Sequence, residues 1–216
     1  MTGNDIIKVL IADDHAIVRE GLRQILADTR DIVVAGDAEN GSEAIRLARC
    51  NECDVLLLDI SMPDRSGIDV LKQIKKESPK LAVLMLSMHR EDQYAIRSLK
   101  AGAAGYLNKQ SAPAELVDAI RQVANGKKYV SPALAQELAN QVGDEHRDVP
   151  PHEILSDREY QTMIMIASGK TVSEIAAELA LSVKTISMYR SRLLQKMKMR
   201  HNAELTHYAI RNNLVE

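Results

Sequence analysis

Five polar side chains stand directly behind apolar runs in the first half of the chain. Asp13 and Asp14 follow VLIA, Asp59 follows VLLL, Ser87 follows AVLML, and Lys109 lies just past GYL. Three carboxylates gathered in a partly desolvated site would repel one another and raise one another's pKa unless a cation sat among them. Oxygen-only donors with room for water suit Mg²⁺ better than zinc. With a divalent ion and Lys109 balancing the charge, Asp59 is left as a nucleophile toward phosphorus. Ser87 can then donate a hydrogen bond to a transferred phosphoryl oxygen. Singly, each residue has a plainer reading: an Asp-Asp turn, a serine helix cap, a surface lysine. Their recurrence at the same end of successive runs is what favours a shared site.

The elements that must carry them follow from periodicity. Apolar runs at Val9–Ala12, Ile32–Ala35, Val55–Leu58, Ala82–Leu86 and Gly105–Leu107 alternate with segments of helical period. Ile17, Val18, Leu22, Ile25 and Leu26 make one helical stripe, and Val70, Leu71 and Ile74 another. Ser111 is placed to cap a helix carrying Leu116, Ala119, Ile120 and Val123. Such alternation predicts an α/β fold, a parallel sheet with helices on both faces. In an open sheet of this kind, ligands bind outside the carboxyl ends of the strands. All five residues fall at that end.

Composition narrows the class. Of 216 residues, 45% are hydrophobic and 27% charged, ordinary for a globular chain, and the length leans to two domains. Without Phe or Trp, aliphatic residues and Met must fill the cores. No apolar run reaches the roughly 18 residues of a membrane span, and MTGNDIIKVL does not read as a signal peptide. The expected location is cytoplasmic, with no membrane partner. Cys50 and Cys53 form a lone CxxC that trails a helix, with no second pair, and read as incidental reduced thiols.

The second half changes character. Ser131-Pro132 opens a further helix, and GDEHRDVPPHE reads as a linker. The domain reading is 1–130, a linker helix and linker over 131–153, and 154–216. Ser156–Glu159 and Thr171–Glu174 are capping boxes, Gly169 stops a helix, and Ser182 and Asn202 are placed to cap the last two. Four short helices result, and the short turn between the middle pair has helix-turn-helix spacing. Leu179–Ala203 holds six basic residues and no acid, whereas Asp144–Glu159 holds six acids and two arginines. A confined basic stripe in a chain of net charge −2 points to a polyanion site. Winding VKTISMYRSRLLQKMK as a helix turns Ile186, Leu193 and Met197 inward, with Tyr189 and Arg190 at the margins. Lys184, Ser187, Met188, Ser191 and Gln195 turn outward, flanked by Arg192, Lys196 and Lys198. Such a helix suits the major groove of double-stranded DNA.

DDH at 13–15, DISMPDRSG at 59–67, LS at 86–87 and AGAAGYLNK at 101–109 resemble the receiver domain of bacterial two-component response regulators, over residues 6 to about 125. LSDREYQTMIMIASGKTVSEIAAELALSVKTISMYRSRLLQKM resembles the LuxR-type helix-turn-helix domain, over 155–215. The first resemblance implies a flavodoxin-like fold of strand order 2-1-3-4-5. It implies Asp59 as phosphoacceptor and Asp13, Asp14 and the Ser61 carbonyl as Mg²⁺ ligands beside Asp59. Lys109 becomes the phosphate lysine, and Ser87 and Tyr106 the switch pair; the plainer reading of Tyr106 is a half-buried packing residue. The family often has Pro after DDH, where this chain has Ala16. The second resemblance implies Ser187, Met188 and Ser191 near base edges, with Lys184, Thr185, Arg190, Arg192 and Lys196 near phosphates. Many relatives carry Lys and His where this chain has Ser187 and Tyr189, which leaves the preferred DNA sequence open. The last helix, Ala203–Asn212, is the usual dimer surface in such domains, with Leu205, Tyr208 and Ala209 as its apolar candidates.

The function implied is a transcription factor phosphorylated on Asp59 by a sensor histidine kinase, with dimerisation and promoter binding as the output and RNA polymerase as a candidate partner. Two other readings stand beside it: a phosphohydrolase working through an aspartyl-phosphate, and a DNA-binding regulator independent of phosphate. A hydrolase would normally carry DxD on its first strand, whereas Asp59 follows the third run as DIS.

Overall fold

The computed structural model describes residues 6–50, 52–88, 93–132, 134–136, 150–212 and 214–215. The chain divides into two compact units, Met1–Gln141 and Val142–Glu216. In the first, β1 (Ile7–Ala12), α1 (Ala16–Ala27), β2 (Ile32–Ala38), α2 (Gly41–Cys50), β3 (Val55–Asp59), α3 (Gly67–Glu77), β4 (Ala82–Ser87), α4 (Gln93–Lys100), β5 (Gly105–Asn108) and α5 (Pro113–Ala124) alternate without exception. The five strands form one sheet in the order β2-β1-β3-β4-β5, parallel throughout. Every residue of β3 is buried, as a central strand covered on both faces requires. The edge strand β2 alternates instead, and extends past its apolar run to Ala38, paired with Ala12.

Side chains alternate across the sheet. Val9, Ile11, Val55, Leu57, Leu84 and Leu86 join Leu22 and Leu26 of α1 and Leu116, Ala119, Ile120 and Val123 of α5 in one core. Ala44, Ile45, Val70, Leu71 and Ile74 of α2 and α3 are buried as well. The α1 stripe differs from its sequence reading. Ile17 is 88% exposed, while Arg19 is buried. Winding back from Leu22 and Leu26 explains this, because position 19 lies one turn before 22 on the same face and position 17 does not. Ser111 does not cap α5. The cap is Ala112, extended, with Pro113 opening the helix. A proline loses no hydrogen bond in the first turn and drives the preceding residue out of the helical region, which sets the start one residue later than a Ser111 cap would.

The helical turn at Pro132 begins as expected, with the Ser131 hydroxyl accepting from the Leu134 N–H at 3.2 Å. The rest of that helix and most of the linker lie outside the described residues. A short 3-10 turn, Pro151–Ile154, leads into the second unit. There α6 (Asp157–Ala167), α7 (Val172–Glu178), α8 (Val183–Lys196) and α9 (Asn202–Arg211) follow, and α6 contacts each of the other three. Both capping boxes close, and Ser182 caps α8. Gly169 adopts φ +90°, the left-handed geometry that ends α6. Asn202 is not a cap: α9 is preceded by His201. The Asn202 Oδ1 is committed to Arg190 Nε at 2.6 Å. Among the described residues no helix is long and apolar enough to cross a membrane.

Replacing Ser156 with Ala removes the hydroxyl that receives the Glu159 N–H. Native-state hydrogen exchange of the full chain should show α6 amides losing about 1 kcal/mol of protection while β3 amides keep theirs.

Candidate functional site

The sheet order reverses beside β1, and Asp13 and Asp59 sit at the carboxyl ends of the adjacent pair β1 and β3. Asp13 is fully buried, Asp59 nearly so, and Asp14 half-buried. Lys109, just past β5, places its Nζ 2.6 Å from Asp13 Oδ2 and 2.9 Å from Asp59 Oδ2. The Lys109 N–H donates to the Ser87 carbonyl at 2.8 Å, which fixes the β5 exit against the β4 exit. Ser87 is buried at the end of β4. Ser61 follows β3, and its N–H donates to the Asp59 carboxylate. Gly67 lets α3 start against this strand end, since a Cβ there would fall 2.1 Å from the Asp59 carbonyl oxygen.

Three carboxylates face a single ammonium in this pocket. Burial pushes the Asp59 carboxyl up, Lys109 opposes that, and Asp13 adds to it. Burial works against the charged Lys109 ammonium, but Asp59 and Asp13 outweigh it and raise its pKa. One oxygen atom from each of Asp13, Asp14 and Asp59, with a ring nitrogen of His15, lies within 4.8 Å of the others. Asp13 Oδ2, Asp14 Oδ1 and Asp59 Oδ2 are buried; the first and last face the Lys109 ammonium and Asp14 Oδ1 faces His15 Nδ1. Lone pairs of hard oxygen donors thus converge on one point, a donor set that fits a small divalent cation.

Two members of the site were not singled out from the sequence. His15 was noted only as part of DDH; its Nδ1 lies 2.7 Å from Asp14 Oδ1 and its N–H donates to Asp13 Oδ1 at 2.9 Å. Arg19 donates from Nη1 to the Asp13 carbonyl at 2.8 Å. Its position on the inner face of α1 was the available signal. Tyr106 is fully buried, not half-buried, and is among the largest fully buried side chains. Cys50 ends α2 and Cys53 precedes β3; burial raises the Cys53 thiol pKa, against thiolate chemistry.

In the second unit, α8 presents the faces expected of it. Ile186, Leu193 and Met197 are buried, joined by Leu194. Lys184, Ser187, Met188, Ser191, Arg192 and Gln195 are exposed, and Thr185, Tyr189 and Arg190 are intermediate. Lys184 and Arg192 form no ion pair among the described residues. Lys196, by contrast, pairs with the buried Glu159 at 2.6 Å. Burial works against the Glu159 carboxylate, but Lys196 and Ser156 outweigh it and lower its pKa. The apolar candidates of the last helix are corrected. Leu205 and Ala209 are fully buried within the unit, and the Tyr208 hydroxyl bonds His152 Nδ1 at 2.7 Å. The outward residues of α9 are Ala203, His207, Ile210 and Arg211.

Comparison with known proteins agrees with both halves. The family model of the response regulator receiver domain matches residues 9–121. That of bacterial regulatory proteins of the luxR family matches residues 153–209. The chain is 41% identical to Response regulator UvrY of Escherichia coli (strain K12) over 208 residues, 96% of this chain and 95% of that one. It is 38% identical to Response regulator GacA of Pseudomonas aeruginosa over 210 residues, covering 97% and 98%. Among solved structures it is similar to RcsB from Salmonella enterica serovar Typhimurium bound to promoter rprA in the presence of the phosphomimetic BeF3-, at a TM-score of 0.65 and 30% identity, covering 94% and 98%. With an acidic pocket at the switch point of a five-stranded sheet and a basic helix in a helix-turn-helix unit, the chain belongs to the response regulators that join a receiver domain to a LuxR-family DNA-binding domain.

Proposed function

We propose that the chain is a transcription factor switched by phosphorylation of Asp59. The observation that carries this reading is the Lys109 ammonium lodged between the Asp13 and Asp59 carboxylates. An Asp59 oxygen attacks the phosphorus of a sensor kinase's phosphohistidine. The P–N bond breaks as the P–O bond forms, and the freed imidazole nitrogen takes a proton from water. Lys109 leaves its ion pair to meet the transferred phosphoryl oxygens, and Ser87 donates to another. Asp13, Asp14 and the Ser61 carbonyl, with Asp59, would hold Mg²⁺, which supplies positive charge to those oxygens when bound. The chain is then a phosphoacceptor and not a turnover enzyme.

The output runs through two further parts. Ser87 and Tyr106 form the switch: a phosphoryl group that draws Ser87 toward it favours the buried position of Tyr106. It shifts a two-state equilibrium only by its differential contacts. In α8, Ser187, Met188 and Ser191 face base edges, and Lys184, Thr185, Arg190 and Arg192 face phosphates; that the similar RcsB is bound to promoter DNA supports a DNA-binding role for this chain. Lys196 contributes to DNA binding only at the cost of its Glu159 pair. A homodimer formed on phosphorylation reads two half-sites, using the outward Ala203, His207 and Ile210 of α9 in the DNA-binding unit. Promoter DNA and RNA polymerase place this work in the cytoplasm. The domain limits proposed are 1–130 for the receiver, 131–153 for the linker and 154–216 for the DNA reader.

Incubation with Mg²⁺ and a small acyl phosphate should give a single phosphoryl mass addition that Asp59→Asn abolishes; labelling that persists in that variant assigns the acceptor elsewhere. Thermal melting should show Mg²⁺ raising the transition of the full chain, with the increment lost in Asp13→Asn and Asp14→Asn. Asp59 keeps its proton to a higher pH than the ordinary value of 3.8, so Mg²⁺ affinity should fall as acid is added, beginning above that value. In promoter binding, Lys184→Ala and Arg192→Ala should each reduce the slope of log affinity against log salt by about 1.

A further inference from the structure

We infer that Arg19 is the positioning residue that holds the acidic turn Asp13–His15 in its metal-binding shape. The inference rests on the reading of that turn as a Mg²⁺ site. Arg19 is 7% exposed on the inner face of α1. Its three nitrogens all have acceptors: Nη1 donates to the Asp13 carbonyl at 2.8 Å, Nε to Asp37 Oδ2 at 3.0 Å and Nη2 to Glu39 Oε1 at 2.6 Å. Arg23 also pairs with Asp37. On the other side of the same residue, the Asp13 N–H donates to the Ala38 carbonyl at 3.1 Å. Both peptide groups of Asp13 are therefore tied to the end of β2, a segment that supplies no acid to the pocket.

The physical need for such a brace is repulsion. Asp13, Asp14 and Asp59 converge with buried lone pairs, and nothing in their mutual interaction keeps the turn closed. Arg19 holds the turn by its backbone carbonyl, so no Asp13 carboxylate oxygen is consumed. Two arginines against Asp37 and Glu39 make the brace neutral, so it does not compete with a cation for the acids. A lysine carries the same charge but cannot present three donors in one plane to three fixed acceptors. Groups of this kind, one layer behind metal ligands, typically change metal affinity by about 10- to 100-fold when altered.

Calorimetric titration of Mg²⁺ into the full chain tests this, with Arg19→Lys and Arg19→Gln beside the unaltered protein. Both variants should bind Mg²⁺ at least ~10-fold more weakly. Their rate of labelling by an acyl phosphate should return to within about threefold of the unaltered rate once Mg²⁺ is saturating, which general damage to the fold would not allow. Affinity within about twofold, or labelling that stays low at saturating Mg²⁺, overturns the assignment. If the Arg19 variants do not fold, Asp37→Ala decides: removing the acceptor of Nε should weaken Mg²⁺ at least about threefold, and unchanged affinity overturns the assignment. Absence of saturable Mg²⁺ binding by the unaltered chain would instead remove the metal reading beneath it.

Discussion

Everything in the receiver unit turns on one ammonium between two buried carboxylates. Lys109 reaches Asp13 and Asp59 from the end of β5, across the ends of β3 and β4. Two buried acids side by side oppose each other's ionisation. The lysine pairs with one oxygen of each and keeps them in place, while three carboxylates facing one ammonium keep lone pairs to spare. That surplus of lone pairs is the site's chemical capacity. In the function proposed, it would hold a hard cation and leave Asp59 to supply the oxygen that meets phosphorus.

The fold exists in this account to deliver those groups to one edge. Parallel strands send every carboxyl end the same way, and the reversal of order at β1 and β3 opens the crevice between them. The floor is set by close packing: Gly67 admits α3 against the end of β3, where any side chain would meet the Asp59 carbonyl. The rim is set by Arg19 on one side and by Ser61 on the other. Asp59 thus sits among rigid elements, and Ser87 and Tyr106, the proposed switch pair, are both buried.

Much of this was legible in the residues. The strand runs, the acids behind them and the lysine past GYL were readable because a parallel sheet forces long apolar runs and a common carboxyl edge. The two capping boxes and the faces of α8 were readable because they depend on local spacing alone. The misses have local and tertiary causes. Ser111 and Asn202 have cap chemistry, but Pro113 sets one helix start and Arg190 claims the other side chain. Leu205 and Ala209 are apolar, yet their own unit uses them as core. Ile17, expected on the inner stripe, is exposed and Arg19 is buried, because a fully hydrogen-bonded arginine can be buried and a single isoleucine can be exposed. For Asn202, Leu205 and Ala209 a tertiary partner, invisible in a linear pattern, decided the outcome.

The most direct measurement is an experimental structure of the full chain with Mg²⁺ and beryllofluoride. The account predicts the fluoride adduct on an Asp59 carboxylate oxygen, Lys109 and Ser87 turned to its fluorines, and the metal bound by Asp13, Asp14 and the Ser61 carbonyl. An adduct on another residue, or a metal that none of these acids touches, would contradict it.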